Sequence, residues 1–86
     1  MPASSHVLVI DDEPALRQIF GRVLDDAGYF VEMASGAEEG FAMLSRGDVD
    51  VALCDIRMPD GNGIDVLRQA RAAGIDTVFV MKSRSR

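Results

Sequence analysis

A length of 86 residues allows one small domain, and 48% hydrophobic content excludes an intrinsically disordered chain. The formal charge is -5, and Lys82, Arg84 and Arg86 crowd the last five positions; the body before them has six basic residues against fourteen acidic, which argues against nucleic acid as a partner. Cys54 is the only cysteine, so no internal disulfide can form and a reducing compartment is expected. The early apolar run at residues 7–10 is too short for a signal peptide or a membrane span. A cytoplasmic protein with no membrane partner is expected.

Residues 1–5 read as a disordered start. His6-Val7-Leu8-Val9-Ile10 is β-branched and continuously apolar, and reads as a first strand. It ends in Asp11-Asp12-Glu13. Pro14 suits the first turn of a helix, where its missing N–H costs nothing. Leu16, Ile19, Phe20, Val23, Leu24 and Ala27 then mark one helical face, and Gly28 is a C-terminal cap. Residues 29–34 form a second strand, whose Glu32 points to an edge position. Ser35-Gly36-Ala37-Glu38 matches the S-x-x-E capping box of a second helix, with Ala37, Gly40, Phe41 and Leu44 on one face. Gly47 ends it.

Residues 51–54 are a short apolar run of the kind buried on both faces of a parallel sheet. Asp55 follows at once, and then a Pro/Gly turn. Asn62 or Gly63 opens a third helix, with Ile64, Leu67 and Ala70 or Ala73 toward the sheet, and Gly74 closes it. Residues 77–81 are a fourth strand, and residues 82–86 a basic polar tail. The order βαβαβαβ means an α/β fold with a parallel sheet. With strand order 2-1-3-4, a flavodoxin-like arrangement, strands one and three flank the topological switch point. Asp11, Asp12 and Asp55 then meet at the carboxyl ends of those strands, where ligands bind in such sheets.

Three carboxylates in one cleft repel each other unless a cation is present. Magnesium suits them, because it takes oxygen ligands and is held by one or two carboxylates plus phosphate oxygens. A carboxylate beside such an ion can attack phosphorus and form an acyl phosphate. The plainer reading is that Asp11 and Asp12 cap the first helix and Asp55 starts a turn. An acid directly after a buried apolar strand weighs against it.

Val7-Leu8-Val9-Ile10-Asp11-Asp12-Glu13-Pro14 and Leu53-Cys54-Asp55-Ile56-Arg57-Met58-Pro59-Asp60-Gly61-Asn62-Gly63 together resemble the receiver domain of two-component response regulators. The likeness covers residues 6–81. It implies that Asp55 is the phospho-acceptor, taking a phosphoryl group from a sensor histidine kinase. It implies that Asp11 and Asp12 bind magnesium together with Asp55 and the backbone carbonyl of Arg57. It implies a signalling module in a phosphorelay, a phosphoprotein and not an enzyme. Met58-Pro59 and Gly61 match the loop that shapes the pocket.

Receivers of this kind carry Thr or Ser at the end of the fourth strand, where Lys82 stands here. Their fourth helix, their fifth strand with its switch aromatic and active-site Lys, and their fifth helix have no counterpart in these residues. The reading is thus a receiver truncated after its fourth strand, with 6–81 as the domain and 82–86 as tail. The alternative is an inactive remnant that acts only as an interaction or self-associating module, through an uncovered sheet face or the edge of its fourth strand.

The remaining candidates have plainer roles. Cys54 should pack in the core, away from the acceptor. His6 reads as a surface residue and the Arg57 side chain as a solvated loop group. Lys82 reads as a tail residue, although a cation one strand from Asp55 could pair with a phosphoryl group. Met33, Met43 and Met58 read as gap fillers. Gly61-Asn62-Gly63 lacks a third glycine at Val66, which excludes a dinucleotide fingerprint. A phosphohydrolase of the haloacid-dehalogenase type would place a second Asp where Arg57 stands.

Overall fold

The computed structural model describes residues 5–83. The expected tail at 84–86 and most of the expected disordered start lie outside them. Ser5 lies within, and its carbonyl accepts the amide of Phe30 at 3.0 Å.

The elements are β1 (His6–Ile10), α1 (Pro14–Asp26), β2 (Phe30–Ala34), α2 (Ala37–Leu44), β3 (Val51–Asp55), β4 (Arg57–Met58), β5 (Gly61–Asn62), α3 (Gly63–Ala72) and β6 (Val78–Lys82). The main sheet is parallel, in the order β2-β1-β3-β6. This is the expected flavodoxin-like 2-1-3-4 arrangement, since β4 and β5 only pair with each other in a small antiparallel hairpin. That hairpin was not read from the sequence: Pro59-Asp60 turns it, and two-residue strands give no periodicity. β2 is an edge strand, as Glu32 suggested.

The core lies under α2 and α3. Leu8, Ile10, Ala52 and Cys54 point there from the sheet and meet Ala37, Leu44, Met58 and Val66. Right-handed crossovers place α1 on the opposite face. Gly40 permits the close approach of α2 to β1, since a Cβ there would come within 2.8 Å of Ile10 Cδ1. Gly28, Gly47 and Gly74 follow the three helices with positive φ, in the left-handed conformation that glycine tolerates.

Three helix details differ from the sequence reading. Ser35 and Glu38 form no capping box. Glu39 instead accepts the amide and hydroxyl of Ser35, and Gly36 is the N-cap without a side-chain bond. On α3 the buried positions are Gly63, Val66 and Ala70, while Ile64 and Leu67 are half-buried. The helix is rotated so that its small and branched residues meet the sheet. On α1, Leu16, Phe20 and Leu24 are half-buried, but Ile19 is 57% and Val23 60% exposed. The apolar stripe of α1 is wider than the surface that covers it.

The end of the chain also departs from expectation. β6 runs to Lys82, not Met81, and Lys82 is a strand residue paired with Asp55 and half-buried. His6 is buried rather than surface.

Candidate functional site

Side chains alternate across a strand, so Asp55 and Lys82 share a face with Leu53 and Val80, while Cys54 and Met81 point into the core. Asp11 continues β1 beyond Ile10, its amide bonded to the Ala34 carbonyl at 3.1 Å. It thereby follows Val7 and Val9 onto the same face. The carboxyl ends of β1 and β3 bring Asp11, Asp12 and Asp55 together, with ligand oxygens all within 4.8 Å of one another. Asp11 and Asp55 are buried, at 0% and 1% exposure, and Asp12 is half-buried. All three predicted site acids therefore sit in one cluster.

Each is held by local structure. Asp11 Oδ1 accepts the amide of Glu13 at 2.9 Å, which bends the chain into α1. Arg17 donates to the Asp11 carbonyl at 2.8 Å. The loop after Asp55 is pinned twice: the Ile56 amide donates to the Lys82 carbonyl at 3.0 Å, and the Gly63 amide to the Ile56 carbonyl at 2.8 Å. A Cβ at Gly63 would lie 2.2 Å from the Asp55 carbonyl oxygen, so only glycine lets α3 start this close to Asp55. The Arg57 side chain is exposed on β4, as expected.

Asp60, at the tip of the β4–β5 hairpin, reaches back to α2. Its carboxylate accepts the amides of Ala37 at 2.8 Å and Glu38 at 3.1 Å. These bonds hold its acid below the ordinary aspartate range, that from Ala37 first. The hairpin thus caps α2 from 22–23 residues away. A cavity of about 410 Å³ lies beside the site, lined in part by Asp12, Ser35, Pro59 and Asp60.

Lys82 is the residue the sequence undervalued. Its Nζ donates to Asp11 Oδ2, and it lies 5.1 Å from the Phe20 ring centre. Its side chain is 19% exposed. The signal available in sequence was its position, one residue past an apolar strand and in register with Asp55. Cys54 packs in the core, and its thiol is pushed up to about 11, first by burial and then by the neighbouring Asp55 charge. Met58 fills the core, whereas Met33 is exposed.

His6 belongs to a second polar cluster at the opposite end of the sheet. Its Nδ1 meets the Asp48 carbonyl and its Nε2 the Glu32 carboxylate, each at 2.7 Å. Arg46 also bonds Glu32, and it is this bond first that lowers the Glu32 pKa. The cluster ties β1 to edge strand β2.

The oxygen donors fit a hard divalent cation: two buried carboxylates and a half-buried one converge without any soft ligand. The acidic cluster stands at the switch point of a doubly wound parallel sheet, where ligands bind in such folds. The model of the response regulator receiver domain matches residues 7–85, and the chain belongs to that family. The match extends past residue 81 and takes in Lys82. The chain is 42% identical over 65 residues to the alginate biosynthesis transcriptional regulatory protein AlgB of Pseudomonas aeruginosa, covering 76% of this chain and 14% of AlgB. It is 35% identical over 79 residues to the response regulator MprA of Mycobacterium leprae, covering 91% of this chain and 35% of MprA. The chain thus spans about a third or less of these relatives' length.

Among solved structures, Vibrio cholerae chemotaxis protein CheY4 superposes with a TM-score of 0.85 at 32% identity, over 92% of this chain and 68% of that one. Response regulator TrrA of Thermotoga maritima, solved in complex with Mg(2+)-BeF, superposes at 0.86 with 29% identity, over 92% and 69%. No helix among the described residues is long and apolar enough to cross a membrane.

Proposed function

We propose that this chain accepts a phosphoryl group on Asp55 from a partner sensor histidine kinase, assisted by magnesium at Asp11, Asp12, Asp55 and the backbone carbonyl of Arg57. The observation that carries this reading is the convergence of three carboxylates within 4.8 Å at the ends of β1 and β3 in a receiver-family chain. The magnesium-bound state of its neighbour TrrA is consistent with it. The receiver unit begins at residue 6 and runs through β6, and the basic tail follows. It works as a cytoplasmic signalling module with no reaction of its own to turn over, in keeping with its single, buried Cys54.

An Asp55 carboxylate oxygen attacks the phosphorus of the donor. The bond from phosphorus to the donor's leaving atom breaks, and its electron pair departs with that atom. An acyl phosphate is left on Asp55. The divalent ion supplies charge neutralisation for the transferring group. The Asp11 and Asp12 carboxylates would hold that ion, and the backbone bonds of Ile56 and Gly63 fix the chain that follows Asp55.

Incubation with acetyl phosphate and magnesium, followed by intact mass and peptide mapping, tests the proposal. One phosphoryl group on Asp55 is expected, and none on Asp55→Asn. Labelling that persists in Asp55→Asn would remove the assignment.

A second reading, an unphosphorylated module that acts through its surface, is favoured by one observation. Val78 and Val80 of β6 and Ile19 and Val23 of α1 are large, apolar and exposed on one side of the sheet. The same mass experiment separates the two, since this reading expects no labelling.

A further inference from the structure

We propose that Lys82 is a tethered counter-cation of the acidic pocket, which a divalent ion must displace from Asp11 in order to bind. This rests on the reading of the pocket as a metal-assisted phospho-acceptor and adds a residue to it.

The placement is dictated by the sheet. Lys82 is the register partner of Asp55 on β6. Strand alternation turns its side chain to the face that carries the acids. The stem reaches across β3 to β1, and Nζ donates to Asp11 Oδ2 while resting over the Phe20 ring. The pair is not a solvated surface bridge, because the Asp11 side chain is wholly buried and that of Lys82 is 19% exposed. Both partners are therefore largely withdrawn from solvent.

An ammonium has three N–H donors and no lone pair, so it cannot itself ligate an ion. Two cations a few ångströms apart in a buried pocket repel strongly. Asp11 Oδ2 can serve Lys82 or a divalent ion, and a change of occupant releases the ammonium. Lys82 is the only lysine of the chain, so no other amine of that type can take its place or obscure its chemistry.

The test combines magnesium calorimetry with amine acylation of the full chain. Lys82→Met keeps the apolar stem and removes the charge. It should bind magnesium about tenfold more tightly than the wild type, which corresponds to about 1.4 kcal/mol. Arg68→Gln removes one charge from a solvent-exposed pair with Asp65 on α3 and should leave the affinity unchanged. In the unsubstituted chain, acylation of Lys82, read by peptide mass apart from the N-terminal amine, should be slow without magnesium and faster at saturation.

Equal or weaker affinity in Lys82→Met overturns the proposal while leaving the metal site intact. Equal gains in Lys82→Met and Arg68→Gln also overturn it, since the effect is then net charge alone. If neither the wild type nor Lys82→Met binds magnesium up to tens of millimolar, well above ordinary site affinities, the metal reading itself fails and this inference with it. Should Lys82→Met not fold, acylation of the unsubstituted chain decides, and an acylation rate indifferent to magnesium overturns the proposal.

Discussion

The carboxylate of Asp60 accepts the backbone amide of Ala37 at 2.8 Å, so the turn that follows β3 also caps the helix that precedes that strand in sequence. Free amides at a helix N-terminus need acceptors, and neither Gly36 nor Ser35 supplies one to them. Gly36 leaves room for the bond, because a Cβ there would sit 2.8 Å from Asp60 Oδ1. Asp60→Asn should lower the melting temperature near neutral pH without abolishing phosphoryl labelling of Asp55. Equal melting of the two proteins would show that the cap contributes nothing.

The same carboxylate sets part of the acid response. Asp60 titrates below its ordinary 3.8, Glu32 below 4.5 through Arg46, and Glu39 below 4.5 through the Ser35 amide. A depressed folded pKa contributes stability above the unfolded value, and this is lost as pH falls through the folded value. Melting temperature should therefore fall as pH drops below about 4.5. The deficit of Asp60→Asn should shrink over that fall, since the wild type is losing the same bond. A deficit that stays constant with pH would sink this account.

Gly63 tests how tightly Asp55 is held. The Cβ of Gly63→Ala would meet the Asp55 carbonyl oxygen at 2.2 Å, and backbone cannot move aside as a side-chain tip can. A loss of about 2–3 kcal/mol is expected from denaturant unfolding, in the range of overpacked cores. Phosphoryl uptake should slow as Asp55 is displaced. Gly28→Ala makes a useful contrast: no atom lies within 4 Å, but φ is +98°. It should cost about 1 kcal/mol through backbone strain alone and leave uptake unchanged.

Ligand linkage offers a test of the metal set. An ion that binds only the folded chain stabilises it by about 2.7 kcal/mol at a hundredfold excess over Kd. Magnesium should raise the melting temperature of the wild type and not that of Asp11→Asn or Asp55→Asn. An equal rise in all three would place the ion elsewhere.

Most of the fold was legible because each strand of the main sheet is a short, mostly apolar run and each helix is followed by glycine. Pro14, Gly28, Gly47 and Gly74 punctuate the chain correctly, and three acids at strand ends marked the pocket. What escaped the sequence was tertiary. The cap of α2 comes from Asp60 in a distant turn, and a local S-x-x-E pattern at Ser35 concealed it. His6 is buried because Phe30 and Glu32 of β2 and Asp48 of the loop before β3 close over it. Lys82 followed a β-branched run and preceded Ser and Arg, so composition favoured a tail. Register with Asp55 and the charge of Asp11 draw it into the sheet instead.

The face that carries α1 leads to the last prediction. Val78 is 58% and Val80 48% exposed on β6, and Ile19 and Val23 on α1 are more exposed than an apolar stripe should be. Strand alternation puts both valines on the α1 side of the sheet. Among the described residues, β6 is also an edge strand. Its run from Val78 to Met81 holds no proline and no charge, and such an edge is a template for another strand. Leaving a few hundred Å² of apolar surface wet forfeits on the order of 5–10 kcal/mol at about 25 cal/mol per Å². That is comparable to the whole stability of a small domain. The 86-residue chain by itself should therefore self-associate at micromolar concentration, with a melting temperature that rises with concentration. Val80→Lys places a charge on the edge and in the apolar patch together, and should shift sedimentation toward monomer with helix and strand content retained. A wild-type chain that sediments as a monomer and melts sharply at a concentration-independent temperature would show that this face is tolerated in water.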